Sequence, residues 1–265
     1  MTKTELLNKA ARNGEERLLL ARVLDKLELA RRRNIPSHTG FLSPGERACV
    51  EALLAAAGHP RHLFFGGYEG AQRNICVFLP DWQEPEDALA DPEGPLAALE
   101  ALFPRDSSLS HRDILGGLMG LGLTREKLGD ILMEDGRCQV VVLREALPIL
   151  LSQWEGAGRW KLKVREIPVS ELSPRPPEVK TIRDTVAAMR LDAVLASGFS
   201  TSRSKAAELV SAGRVSVNHR ECAKPDRVVE AGDVLTCRGL GKCVVREVLG
   251  QSKKGRTMLV LERYI

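Results

Sequence analysis

The chain has 265 residues, enough for two or three domains with hydrophobic cores of their own. Its 43% apolar and 28% charged content is that of a soluble globular protein. Its first apolar run, Leu18-Leu19-Leu20 behind a polar start, is far too short for a signal core or a membrane span.

The net charge of +4 is unevenly spread. Residues 180–265 hold 16 Lys+Arg against 9 Asp+Glu, a balance of +7, whereas residues 1–179 hold 23 against 26, a balance of −3. A basic excess confined to one end is what phosphate binding with release of counter-ions requires. The six cysteines (Cys49, Cys76, Cys138, Cys222, Cys237, Cys243) show no CxxC spacing and read as reduced, buried thiols of a cytoplasmic protein. His59 and His62 flank Pro60 with no second ligand pair, so no metal site is expected.

Residues 4–33 read as helix with an interruption at Gly14, and Leu20, Val23, Leu24, Leu27 and Ala30 form its apolar stripe. Arg31-Arg32-Arg33 suits the negative end of a helix and is also open to a phosphate contact. The next helix is punctuated by Ser43 as N-cap, Pro44 at the first position, Glu46 completing a capping box and Gly58 past the end. Residues 1–60 are therefore expected to form a helical segment.

From His62 the pattern changes. Leu63–Phe65 and Ile75–Leu79 are short apolar runs around a glycine-rich turn, Gly66-Gly67-Tyr68-Glu69-Gly70, and read as a hairpin. Asp81 to Asp106 holds eight acids and one base. It reads as a solvated surface excursion around a short piece near Leu96–Leu102, where RNA would not dock.

Ser110 with Asp113 fits a capping box, Gly120 or Gly122 ends that helix, and Thr124 caps a second short one. A strand starts at Ile131–Met133, turns at Asp135-Gly136 and returns over Gln139–Leu143. A helix over Arg144–Trp154 and a strand over Trp160–Glu166 complete an α+β unit of ferredoxin-like size. Residues 61–170 form the expected central domain. Neither Leu63–Phe65 nor Gln139–Leu143 carries the exposed aromatic pair that stacks bases, and aromatics are only 4% of the chain. Phosphate and shape contacts to folded RNA fit better. His111 and Arg112 in one first turn, and Arg125 and Lys127 at the next helix start, are secondary RNA-contact candidates.

Pro174-Arg175-Pro176-Pro177 marks a stiff linker, residues 171–180. Beyond it, a helix carrying Arg190-Leu191-Asp192 ends at Gly198, and a second opens at Ser202-Arg203-Ser204 and ends at Gly213. Ser202 is its N-cap, and Ala206, Ala207, Leu209 and Val210 fall in one arc at 100° per residue. Arg203 lies at the rim of that arc, where a buried lone guanidinium would be costly, so it is expected to reach out past the helix end. Residues 214–218 alternate like a strand, and Gly232-Asp233 turns into another at Val234. Cys243–Leu249 and Arg256–Tyr264 alternate as strands around a turn that offers Lys253 and Lys254 to solvent.

With its signals in this order, Arg190 to Val234 resembles the S4 RNA-binding domain. The resemblance implies RNA contacts by Arg190, Asp192, Ser202, Arg203, Ser204, Lys205, Arg214, Asn218 and Lys224. The sequence of a helical start, FFGGYEG…RNICVFLP, LSHRDILGGLMGLGLTREKLGDI and a C-terminal S4 domain resembles the YlmH family of bacteria over nearly the whole chain. That resemblance implies a central domain like an RNA-recognition (RRM) fold. It also implies a partner in the large ribosomal subunit, through its rRNA and a stranded peptidyl-tRNA, in ribosome-associated quality control of stalled chains. An older label for the family is cell-division protein.

Enzymes that carry S4 domains fit less well. A pseudouridine synthase needs a catalytic domain after the module, where about 30 residues remain. A tyrosyl-tRNA synthetase needs HIGH-like and KMSKS-like signatures, which are missing. A methyltransferase needs a glycine-rich loop after a strand, whereas Gly117–Gly122 follows a helical pattern. The expected fold class is α+β: an N-terminal helical segment, a central RRM-like, ferredoxin-like α+β domain, and an S4 (αL) domain with added β-strands over 181–265. The expected function is a monomeric, non-catalytic RNA-binding factor without cofactor, metal, membrane or small-molecule substrate. An RNA-modifying enzyme that docks through its S4 domain is the alternative, with a cell-division-linked RNA-binding protein beside it.

Overall fold

The computed structural model describes residues 2–252 and 255–265. Its chain divides into two units, Met1–Arg175 and Pro176–Ile265.

The N-terminal unit uses the helix punctuation as written. Thr2 caps α1 (Lys3–Ala10) and Asn13 caps α2 (Gly14–Arg33), so the interruption expected at Gly14 is a break between two helices. After β1 (Ser37–His38) comes α3 (Pro44–Ala56), whose Ser43 hydroxyl accepts from the Glu46 N–H while the Glu46 carboxylate accepts from the Ser43 N–H at 2.7 Å. The hairpin follows as β2 (His62–Phe65) and β3 (Ile75–Phe78). It does not open the central sheet, as expected, but joins β1 in a separate three-stranded sheet of order β1-β3-β2. Cys76 and Phe78 pack into the core of α1–α3, while Ile75 and Val77 face the other way into a second core. A strand buried on both faces reads as an unbroken apolar run, as Ile75–Phe78 does.

The acidic stretch contains α4 (Pro85–Ala90) and then β4 (Leu96–Leu102). Here the surface-excursion reading is corrected. β4 is an interior strand of a four-stranded antiparallel sheet, flanked on both sides by partners and buried from Leu96 to Ala101. Alanine and leucine are weak strand formers by propensity, and only burial against neighbours fixes their state. The sheet is completed by β5 (Leu128–Glu134), β6 (Arg137–Leu143) and β9 (Lys163–Ile167), after a small hairpin of β7 (Gly156–Ala157) and β8 (Trp160–Lys161). Helices α5 (His111–Gly120) and α6 (Leu147–Gln153) intervene. The sheet order β5-β6-β4-β9 with the chain order β-α-β-β-α-β is the ferredoxin-like arrangement, and it runs from Leu96, not from residue 61. Two helix readings shorten: Thr124 precedes a single 3-10 turn and its hydroxyl accepts no cap hydrogen bond, and Arg144–Ala146 is a 3-10 turn ahead of α6, where Pro148 fits the first turn.

One face of this sheet (Ala97, Leu99, Ala101, Val140, Val142) packs on α5 and α6. In an RNA-recognition fold the opposite face meets single-stranded RNA. Here that face is covered: Leu96, Val141 and Leu143 pack against Phe41, Ile75 and Val77. Beyond them the buried Glu100 carboxylate accepts from Arg165 at 2.6 Å and Arg137 at 3.1 Å. The Gln139 side chain holds the segment at Glu171 and Ser173 through its amide N–H and carbonyl.

In the C-terminal unit β10 (Val179–Val186) is followed by α7 (Leu191–Gly198), α8 (Arg203–Ser211), β11 (Val215–Val217), β12 (Arg220–Glu221), β13 (Val234–Cys237), β14 (Gly241–Gln251) and β15 (Thr257–Tyr264). They form a six-stranded sheet of order β10-β15-β14-β13-β11-β12. Val179 and Lys180, expected in the linker, already pair with Tyr264 and Arg263. Leu191, Val194, Leu195, Ala206, Leu209 and Val210 bury the inner faces of α7 and α8 on this sheet. A Cβ at Gly198 would meet the Cys243 sulfur at 2.8 Å, so the end of α7 sits on β14 through a glycine. Lys253 and Lys254 lie outside the described residues.

Candidate RNA-binding site

The start of α7 is held from outside the helix. The Leu191 N–H donates to the Arg227 carbonyl (2.8 Å), the Asp192 N–H to the Pro225 carbonyl (2.9 Å), and the Val229 N–H to the Met189 carbonyl (2.9 Å). Arg190 forms a β-bridge with Val228. The first-turn N–H groups of Leu191 and Asp192 are thus engaged by the chain itself and are not free for a phosphate. At α8 the Ser202 hydroxyl accepts from the Lys205 N–H at 3.1 Å, the cap read from the sequence.

Between the two helix starts lies Asp192, 4% exposed. Its carboxylate accepts from Arg190 Nε (3.2 Å) and Nη2 (3.1 Å) and from Arg203 Nε (3.1 Å). Burial alone would raise the Asp192 carboxyl, but hydrogen bonds from the two guanidinium groups outweigh it and hold the group below the usual carboxylate range. Asp192 stays ionised and fixes both arginines, whose side chains remain 40% and 53% exposed. Arg203 does leave the apolar arc past the helix end, as its desolvation cost demands, and it lands on α7.

The other candidates divide. Ser204, Lys205 and Lys224 are exposed, with Lys205 Nζ on the Glu208 carboxylate at 2.6 Å. Arg214 donates to the Arg238 carbonyl at 2.8 Å. Asn218 adopts a left-handed φ of 50° and uses both ends of its amide internally, donating to Asp233 at 2.7 Å and accepting from the Val234 N–H at 2.9 Å. It locks the turn between β11 and β12. Arg227 was not singled out in the sequence, although Lys224-Pro225-Asp226-Arg227 places two cations in four residues; it is exposed, and its carbonyl anchors α7 beside Arg190.

In the N-terminal unit His111 and Arg112 begin α5, where Ser110 and Asp113 complete the expected capping box. Arg125 is partly buried, and its Nη1 has no hydrogen-bond partner among the described residues. Burial, and then the charge of Arg125, lower the His111 imidazole against the pull of Asp130. Lys127 faces Glu145 at 3.5 Å. Asp130 is the hub of this corner: it accepts from the Tyr68 hydroxyl (2.7 Å), the Gln72 N–H (2.6 Å) and the Arg73 N–H (3.1 Å), while Arg73 donates to the carbonyls of Phe41, Arg125 and Leu128. The glycine-rich turn and the Gly129-Asp130 pair are therefore joined for structure. A Cβ on Gly129 would come within 2.7 Å of the Phe41 ring.

Comparison with known proteins finds two family matches, one in each unit. A family described as "Putative RNA-binding domain in YlmH" matches residues 99–171, and the S4 domain matches residues 189–235. "Ribosome-associated protein quality control protein P2" of Bacillus subtilis (strain 168) is 31% identical over 250 residues, which are 94% of this chain and 95% of that protein. The solved "Cell division protein ylmH from Streptococcus pneumoniae" shares the fold with a TM-score of 0.50 at 21% identity, covering 61% of this chain and 96% of its own. With a relative at that identity aligned over almost its full length, the chain belongs to the YlmH family.

Proposed function

We propose that this protein is a non-catalytic RNA-binding factor that associates with the large ribosomal subunit, gripping rRNA beside a peptidyl-tRNA in the quality control of stalled nascent chains. The observation that carries this reading is the pair of arginines fixed on the buried carboxylate of Asp192, inside the segment that matches the S4 domain. Each guanidinium has five N–H donors, and only some of them are used on Asp192. The remainder, on a surface with a basic excess, suit phosphates of a folded RNA. The relative named for ribosome-associated quality control supports the ribosomal partner. The covered face of the central sheet argues against base stacking there, so the central domain would contribute shape and phosphate contacts.

The test is co-sedimentation of the Arg203→Ala variant with purified large subunits carrying peptidyl-tRNA, together with thermal melting. Removing one charge-assisted contact of about 1.5–3 kcal/mol should weaken association by roughly one to two decades. Undiminished co-sedimentation would remove the site. Modification of unmodified rRNA beyond one event per protein, with S-adenosylmethionine or nucleotide supplied, would move the protein to the enzyme class.

A further inference from the structure

A second surface lies in the N-terminal unit and has the opposite character. A cleft of about 700 Å³ opens between the β1-β3-β2 sheet and the edge of the ferredoxin-like sheet. Its walls are apolar: Leu63 and Phe65 of β2, Leu89 of α4, and Ile167 and Val169 where β9 runs into the next turn. Leu89 is 43% exposed there. Its rim is acidic, with Asp91, Glu93 and Glu166, and the exposed Glu86 and Asp87 stand on the neighbouring α4.

The one cation among the lining residues, Arg144, is turned to the protein. Its Nε donates to the Gly94 carbonyl (2.8 Å), its Nη2 to the carbonyls of Leu96 (3.1 Å) and Pro92, and its Nη1 stands 3.5 Å from Glu166. Arg144 thereby fixes the Asp91–Leu96 loop as a wall and leaves Asp91 and Glu93 unneutralised by it. The cleft is a built feature, and its net charge is negative.

Apolar walls of this size left open to water mark a binding groove. The rim decides what enters. Phosphates are repelled by a stretch holding eight acids and one base, whereas lysine and arginine are attracted. Both β2 and β9 are edge strands of their sheets, so an extended chain laid between them meets backbone groups as well as side-chain walls. We infer that this cleft docks a short segment of a partner protein in which aliphatic anchors are flanked by lysine or arginine. It is independent of the arginine site, and its failure would leave the RNA reading untouched.

The test uses the full chain and an array of ten-residue peptides. Each has two Leu, Ile or Val anchors, spaced for an extended or a helical backbone and flanked by Lys and Arg; a matched array carries Glu and Asp instead. Glu93→Lys probes the rim and Leu89→Ser the wall, both at exposed positions, with melting to confirm that each variant folds. The expected result is salt-sensitive binding of basic peptides only, weakened about tenfold or more by either substitution, with methyl NMR shifts at Leu63, Leu89 and Val169. Three outcomes would overturn the inference: no basic peptide binds, the acidic array binds equally well, or both variants bind like the parent chain. Displacement of bound peptide by an RNA hairpin, or a dimer in sedimentation that Leu89→Ser abolishes, would also overturn it by giving the cleft to another occupant.

Discussion

Asp192→Asn separates two accounts of the RNA contact proposed for the arginine pair. The carboxylate is buried and accepts three guanidinium hydrogen bonds at 3.1–3.2 Å. Asparagine keeps its size but offers one acceptor, removes the charge and turns an NH2 group towards donors. Hydrogen bonds to charged groups contribute about 1.5–3 kcal/mol each. Both arginines are around half exposed, so water recovers part of the loss, and a net destabilisation of about 1–2 kcal/mol is expected. In a unit of this size each kcal/mol moves Tm by about 4–8 °C.

The effect on RNA is the sharper readout. If the arginines bind by net charge alone, losing Asp192 makes the site more positive and the affinity rises. If Asp192 holds them in place, ordering two free guanidinium groups becomes a cost of binding and the affinity falls, by about tenfold for two rotamer-rich side chains. Fluorescence anisotropy with an rRNA hairpin over a salt series, at a temperature where both proteins are folded, distinguishes the two. Asp192→Asn should weaken binding without lowering the salt slope, whereas Arg203→Ala should lower that slope by about one. Tighter binding by Asp192→Asn would refute the positioning role.

Other expectations follow from the same geometry. The Asp192 carboxyl is held below its ordinary value, so its stabilisation is present above the unfolded carboxyl pKa of about 3.9 and lost as pH falls through the lower folded value. The melting gap between parent and Asp192→Asn should therefore stay constant above about pH 5 and close in stronger acid, as differential scanning fluorimetry can show. Asp130→Asn removes charge from the acceptor of the Gln72 and Arg73 N–H groups and the Tyr68 hydroxyl, and should cost the N-terminal unit about 2–3 kcal/mol in chemical denaturation. Hydrogen exchange should quicken in the 66–74 loop. Gly129→Ala drives a methyl into the Phe41 ring and should cost about 1–3 kcal/mol on the same assay. Oligouridine should bind the full chain more weakly than a hairpin of equal length, because the sheet face that would stack its bases is covered; equal affinity would contradict that.

Much of the fold was legible because its signals are local. Ser43, Ser110 and Ser202 cap the helices assigned to them, since an N-cap is recognised within three residues of its partner. The Asp135-Gly136 turn and the alternation of β6 are local in the same sense. β4 was missed for the opposite reason. Leu96–Leu102 is alanine- and leucine-rich and set among acids, and nothing within its own length says that β6 and β9 will flank it. The hairpin of Leu63–Phe65 was found, but not the sheet it joins, because β1 is two residues long and lies before α3.

For the site, the sequence by itself determined which residue types stand at the two helix starts, the S4 spacing that brings them into one module, and the basic balance of the C-terminal end. Only the tertiary structure decided that Arg190 and Arg203 share one buried carboxylate, that Asn218 and the first donors of α7 are engaged by the chain itself, and that the face of the central sheet where bases would stack is filled. The reason is physical. Capping, turn chemistry and amphipathic spacing act over a few residues and leave their mark in order along the chain. Desolvation and pairing depend on which surfaces meet, and those partners come from segments that the sequence keeps apart.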